Sequence, residues 1–83
     1  MSKSPHVART PVFIPDYGNV SPSHARTLAI GDRVRHVRGG LPGTVIELTV
    51  KHGHAMYAMV RWDSGSASEY DAYDLSHADF SRR

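Results

Sequence analysis

Hydrophobic and polar residues alternate through the middle of the chain, and this alternation predicts short β-strands. The first predicted strand covers residues 33–38, where Val34 lies on one face and Arg33 and Arg35 lie on the other. The glycine- and proline-rich segment 39–43 then ends this strand. The first element that the pattern predicts is therefore a β-strand.

The clearest predicted strand covers residues 44–50, where β-branched residues dominate. A period of two places Ile46, Leu48 and Val50 together on one face. We expect that face to be buried.

Further strands are predicted after tight turns. In the next strand Ala58, Val60 and Trp62 alternate with polar and larger residues, and Gly65 then tolerates the positive φ of a tight hairpin. A single helical turn follows, from which Leu75 reaches back as a plug for one end of a barrel. The predicted elements are a hairpin loop at 51–54, a strand at 56–62, a turn at 63–65, a returning strand at 66–70 and the helical turn at 71–75.

Four or five short antiparallel strands at this spacing predict an all-β fold, a small barrel with a short helical turn near its end. The predicted barrel spans residues 28–80 and is followed by a basic tail, 81–83. Residues 1–27 contain four prolines and few apolar residues, so they are expected to form an extended or disordered N-terminal arm.

One apolar cluster interrupts the arm, Val12, Phe13 and Ile14. It is either part of a solvated tail or an anchor that docks on the barrel or on a neighbouring molecule.

The 83 residues contain no cysteine, so no disulfide supports the thin core that a chain of this length can bury. Oligomerisation or a partner surface is the expected support, and we predict a homo-oligomer or a protein assembly. There is neither a secretory pattern nor an apolar run of the roughly 20 residues needed to cross a bilayer, so the expected location is the cytoplasm, away from membranes.

Several of these segments together resemble an SH3-like barrel of the Tudor, KOW and mind-bomb kind. The resemblance covers about fifty residues and implies the fold more than an activity, because this barrel hosts nucleic-acid binders, peptide binders, structural subunits and a few enzymes. It is carried by Gly31-Asp32-Arg33-Val34-Arg35, Gly43-Thr44-Val45, residues 57–65, Tyr70 and Asp74-Leu75.

With the Val12-Phe13-Ile14-Pro15-Asp16 segment, the same order of motifs is similar to the plasmid-borne type B dihydrofolate reductases. In that family four barrels surround one pore that holds folate and NADPH. The resemblance implies that Tyr70, Ser66, Ser68 and His36 line such a pore, with His36 at a lysine position and Ser68 at a glutamine position. Glu69 would then place an anion in the pore wall.

Trp62 supports two interpretations. In Tudor-like barrels, aromatic residues at a rim form cages for methylated lysine or arginine, and Tyr57, Tyr70 and Tyr73 are candidate walls here. The alternation of Trp62 with Val60 instead favours a place in the core.

Nucleic-acid binding is a further possibility, because Arg33 and Arg35 lie about 7 Å apart on one strand face and Arg38 and Arg61 add positive charge. The net charge is only +2. Acidic residues follow in the sequence, Asp71, Asp74 and Asp79. The arginines are alternatively a charged strand edge that discourages pairing with other chains.

The spacing of serines, histidines and aspartates selects no catalytic set, and no metal site is assigned. His52 and His54 could bind a metal only with a further ligand, and otherwise are solvated turn residues.

The sequence therefore predicts a non-catalytic binding or assembly module without a cofactor, similar in size and in its arm to accessory proteins of phages and mobile elements. The alternatives are an NADPH-dependent reductase of type B and a nucleic-acid-binding barrel. The candidate binding residues are Arg33, Arg35, Arg61, Tyr57, Tyr70 and Tyr73.

Overall fold

The computed structural model of the protein describes residues 10–15 and 26–78, and these residues form an all-β structure. The only helical element among them is one 3-10 turn, Ala72–Asp74. This confirms the predicted fold class. The strands are β1 (Val12–Phe13), β2 (Thr27–Leu28), β3 (Arg33–His36), β4 (Gly43–Lys51), β5 (His54–Trp62), β6 (Ala67–Asp71) and β7 (Leu75–His77).

Five of the strands form one antiparallel sheet in the order β6-β5-β4-β3-β7. Strands β3 to β6 follow one another as a meander, and β7 returns to the far side of β3, where His36 pairs with Leu75. The sequence pattern predicts β3 to β6, but it predicts no strand at β7. The 3-10 turn joins β6 to β7 and begins at Asp71, whose carboxylate accepts a hydrogen bond from the backbone N–H of Tyr73 at 3.0 Å.

The longest hairpin joins β4 to β5 through a two-residue turn at His52 and Gly53. Both residues have positive φ, 53° and 78°, as a type I′ turn requires. The register shifts once between Val45 and Glu47 and again between Thr49 and Val50. Each strand of the hairpin therefore contains one extra, bulged residue.

The first bulge makes one prediction about the buried face wrong. Val45, and not Ile46, is fully buried, because the extra residue at Ile46 moves the inward positions of β4 by one. Leu48 packs against the core as predicted. Val50 is 47% exposed, so its predicted burial is wrong, although the residue it pairs with, Ala55, is fully buried.

The core collects side chains from β2 to β5, from the 3-10 turn and from β7. Its largest fully buried residues are Leu28, Leu75, Val34, Val45 and Val60. Leu75 has no exposed surface and follows the 3-10 turn directly.

A separate two-stranded sheet pairs β1 with β2, so that Val12 faces Leu28. Ile14 is buried against the core and donates its backbone N–H to the carbonyl of Arg26 at 2.9 Å, whereas Phe13 is 68% exposed. The remainder of the predicted arm, Asp79 and the predicted tail at 81–83 lie outside the described residues.

Candidate binding cleft

A cleft of about 360 Å³ opens where β3 ends and β5 turns into β6. Two loops border it, and they are joined by a hydrogen bond from the backbone N–H of Asp63 to the carbonyl of Pro42 at 2.9 Å. The two loops that border the cleft are therefore held next to each other by a backbone hydrogen bond. Its walls are formed by His36, Gly39, Gly40, Leu41, Trp62, Ser64 and Tyr70.

Three rings form the aromatic part of the cleft. The Tyr70 ring contacts Trp62 at a centroid distance of 5.4 Å and His36 at 5.5 Å, both in edge-to-face arrangements. Edge-to-face contact is one of the two arrangements that aromatic pairs prefer, because the positive edge of one ring meets the negative face of another. Tyr70 thus lies between the other two rings and links β6 to the end of β3.

Gly43 determines how closely the Trp62 ring approaches the sheet. A Cβ atom at Gly43 would lie 2.7 Å from three atoms, the Cε3 of Trp62, the carbonyl oxygen of Arg61 and the Cγ1 of Val60. Real Cβ atoms essentially never show such distances. Trp62 accordingly packs against the core with one part of its ring and lines the cleft with another. The contact with the core agrees with the predicted core position of Trp62, and its role as a binding wall stays a prediction.

The polar atoms of the rings are arranged as hydrogen-bond donors. The Trp62 Nε1–H donates to the Tyr70 hydroxyl oxygen at 3.3 Å, which leaves the phenol hydrogen available to a ligand. The backbone N–H of Arg38 donates to His36 Nδ1 at 3.1 Å, so the neutral imidazole carries its proton on Nε2. With the Ser64 hydroxyl, the cleft offers donors and apolar surface, and none of its described walls is acidic.

The residues implied by the reductase resemblance divide between two faces of β6. Tyr70 pairs with the buried Ala58 and Ser68 with the buried Val60, so both lie on the inner face, the side of the cleft. Glu69 pairs with Met59 on the outer face, so it does not belong to the same wall as Tyr70. Ser66 is exposed in the turn, where its Oγ lies 3.3 Å from that of Ser64.

The predicted tyrosines are not brought together. Tyr57 is exposed on the outer face, where it pairs with Asp71 and Thr49, and is separated from Tyr70 by the sheet itself. Tyr73 is half-buried in the 3-10 turn and packs against the core. Only Tyr70 of this set lines the cleft.

The arginines lie on the outer face and differ in their partners. Arg33 and Arg61 flank Thr44 across three adjacent strands, and Arg35 is exposed opposite Ser76. The Arg33 guanidinium forms a two-pronged ion pair with Asp63, with distances of 2.9 and 2.7 Å, and donates to Thr44 Oγ1 at 2.9 Å. Part of the positive charge is therefore neutralised, and nucleic-acid binding stays a prediction.

The Arg33–Asp63 pair gives a testable pH dependence. Its hydrogen bond from Arg33 lowers the pKa of Asp63 below the ordinary value of 3.8. A carboxyl group whose pKa is lower in the folded state stabilises the fold above its unfolded pKa, and this contribution is lost as the pH falls through the folded pKa. We expect an NMR titration of Asp63 to show a midpoint below 3.8 that rises in Arg33→Gln. The change in stability should be small, because both side chains of the pair are exposed to solvent. An unchanged midpoint in the variant would contradict this assignment.

The two histidines at the tip of the hairpin have no further potential metal ligand beside them among the described residues. His54 Nδ1 lies 3.1 Å from the carbonyl oxygen of His52, and both residues are exposed. No group of three or more potential metal ligands occurs within residues 10–15 and 26–78. In the same part of the chain, no helix has the length and apolar character to cross a membrane.

Sequence reasoning missed the loop residues of the cleft, Gly39, Gly40, Leu41 and Ser64. The available signal was the presence of two turn-forming segments, 39–43 and 63–65, each at the end of a strand. Because β3, β4 and β5 are neighbours in an antiparallel sheet, the loop after β3 and the turn after β5 lie at the same end.

The chain matches no protein-family model, no curated protein and no solved structure.

Proposed function

We propose that this chain is a non-catalytic SH3-like binding module of the cytoplasm, and that the cleft binds an apolar or aromatic side chain of a partner protein. The observation that carries the proposal is the group of three rings, His36, Trp62 and Tyr70, around one cleft. Aromatic surface supplies much of the energy of protein recognition, and tyrosine and tryptophan are enriched where it does so.

The fold supports the SH3-like part of the proposal. A meander of four strands, a 3-10 turn and a fifth strand that returns beside the first is the connectivity expected of such a barrel. The small core agrees with a module that works in an oligomer or a larger assembly.

The size and polarity of the cleft favour a peptide as the ligand. A volume of about 360 Å³ is near the lower limit of small-molecule sites, so it suits one large side chain with its neighbouring peptide group. The donors at Tyr70 and His36 match the carbonyl acceptors that every peptide carries. Leu41 is 57% exposed and extends the apolar wall at the rim.

The single tryptophan provides the test, because Trp62 is itself a wall of the cleft. We expect N-acetyl-phenylalanine amide to change the emission of Trp62 in a saturable way. Leu41→Ser should weaken the binding about fivefold, since it removes apolar contact surface. Val50→Ser is the matched control, because Val50 is similarly exposed and does not line the cleft. The absence of a saturable change, or an equal loss in both variants, would refute the proposal.

A second candidate is favoured by one observation, the contact between His36 and Tyr70 on the side of the sheet that also carries Ser68. We propose as an alternative a type B dihydrofolate reductase, which would use NADPH in a pore between several copies of the chain. It predicts a tetramer by light scattering, oxidation of NADPH with dihydrofolate, and loss of that activity in Tyr70→Phe. A monomer or dimer without this oxidation would exclude the alternative and leave the binding module in place.

A further inference from the structure

We infer that the edge of β6 that pairs with no described strand accepts an extended, basic peptide as an additional strand, whose inward side chains lie on the side of the cleft. This inference rests on the proposed function and specifies its ligand. Backbone hydrogen bonds at the β6 edge would hold the main chain of the partner, in addition to the side chain bound in the cleft.

The hydrogen-bond pattern of β5 and β6 shows which backbone groups of β6 point away from the sheet. Trp62 donates its N–H to the carbonyl of Ser66 at 2.8 Å, so these two residues form a hydrogen-bonded pair. Such pairs alternate along antiparallel strands, so Ser68 and Tyr70 also bond to β5. The N–H and C=O groups of Ala67 and Glu69 therefore point outward, along the free edge.

This edge is uncovered within the described residues. The five-stranded sheet ends at β6, which has β5 as its hydrogen-bonded neighbour. All residues of β6 except Tyr70 are exposed. A row of outward backbone donors and acceptors on an exposed edge strand is a template for strand addition.

The charges of the edge select a basic partner. Glu69 and Asp71 project from the outer face of β6, two residues apart, and neither forms an ion pair with another described residue. Side chains on an added strand would lie directly beside them, and opposite charges at such cross-strand positions are stabilising. A second copy of the chain fits less well, because antiparallel pairing of two β6 edges would bring these carboxylates together.

The inner face of β6 connects the edge to the cleft. Residues of the added strand that neighbour Ser68 and Tyr70 would face inward, because cross-strand neighbours share a face. Tyr70 is at once part of this strand and a wall of the cleft. A peptide of alternating basic and apolar residues therefore satisfies the outer charges and the inner apolar surface together.

The experiment uses the full chain and the blocked hexapeptide Lys-Val-Lys-Phe-Lys-Val, with binding followed by Trp62 emission and by calorimetry. We expect the peptide to bind more tightly than N-acetyl-phenylalanine amide and more tightly than the hexapeptide in which glutamate replaces lysine. Methylating the backbone nitrogens of one alternate set of its residues should abolish this gain, and methylating the other set should not. This asymmetry arises because only one edge of an added strand bonds to β6.

A protein variant tests the same edge independently of the cleft. Glu69→Pro removes an outward N–H, a change that edge strands tolerate because the bond to β5 is not involved. We expect it to weaken hexapeptide binding about tenfold while the response to N-acetyl-phenylalanine amide is unchanged. Glu69→Gln is the control and should lose only the preference for lysine over glutamate.

The outcomes separate the inference from the proposed function. If the small amide binds and the hexapeptide gains nothing, or if both methylated series bind alike, strand addition is refuted and the cleft remains a binding site. If neither ligand binds, both proposals fail. Self-association that Glu69→Pro abolishes would identify a second copy as the occupant and overturn the inference.

Discussion

Leu75→Ala is expected to lower the free energy of unfolding by about 2–5 kcal/mol, since it removes a fully buried leucine and leaves a cavity in its place. The structure around residue 75 can collapse little into this cavity, because the 3-10 turn precedes Leu75 and the backbone of Leu75 pairs with His36. A domain of this size has a small total stability, so the variant should be largely unfolded near physiological temperature.

The measurement is urea unfolding followed by circular dichroism. Leu41→Ala is the control, because the same atoms are removed at an exposed position and the expected change is within about 0.5 kcal/mol. Equal effects at the two positions would show that Leu75 is not part of the buried core.

Gly43→Ala is expected to destabilise the fold by about 1–3 kcal/mol, because the added methyl group overlaps atoms of Trp62, Val60 and the Arg61 carbonyl. The Arg61 carbonyl oxygen is a backbone atom and cannot move without shifting β5, and the Val60 side chain is fully buried in the core. The remaining one is the Trp62 ring, so the variant should also change the tryptophan emission and weaken ligand binding in the cleft.

The two effects are measured by thermal unfolding and by the emission spectrum. Gly53→Ala serves for comparison, because its φ of 78° makes alanine unfavourable there, yet nothing lies within 4 Å of the added atom. It should cost stability without altering the emission. A native spectrum and native stability in Gly43→Ala would contradict the packing described for Trp62.

The sequence was sufficient to predict the elements whose structure is local. Ala58 and Val60 are buried as the alternation requires, and the turns at 51–54 and 63–65 occur where the glycines indicate them. The helical turn after residue 71 also lies where it was predicted, as does the buried Leu75. In each of these segments, the preference of a few adjacent residues decides the structure.

The errors occur where the structure depends on distant residues. The prediction for Ile46 fails because a bulge interrupts the period of two. No single residue in β4 indicates that a bulge occurs there. Strand β7 has three residues, and it exists because β3 offers a free edge 41 residues earlier in the sequence, where the Arg35 carbonyl accepts from the Ser76 hydroxyl. Such pairing leaves no periodic signal.

The cleft was predictable in part. His36 and Tyr70 were linked through the resemblance to the reductases, and the structure places their rings in contact. The face occupied by Glu69 could follow from alternation alone once Tyr70 is placed inward. The contribution of Leu41 to the cleft could not be predicted from the sequence, because it depends on which two loops meet at one end of the sheet.

The two bulges of the long hairpin lie on opposite strands and compensate each other. Between them the partners are displaced by one residue, and beyond the second bulge the original register returns, so that Lys51 meets His54. Removing Ile46 alone would eliminate the first bulge and leave the pairs from Glu47–Met59 to Lys51–His54 and the type I′ turn in place, and removing Met56 alone would do the same for the second bulge. Homologues that lack either bulged residue should therefore keep the pairing of Lys51 with His54 and the same two-residue turn.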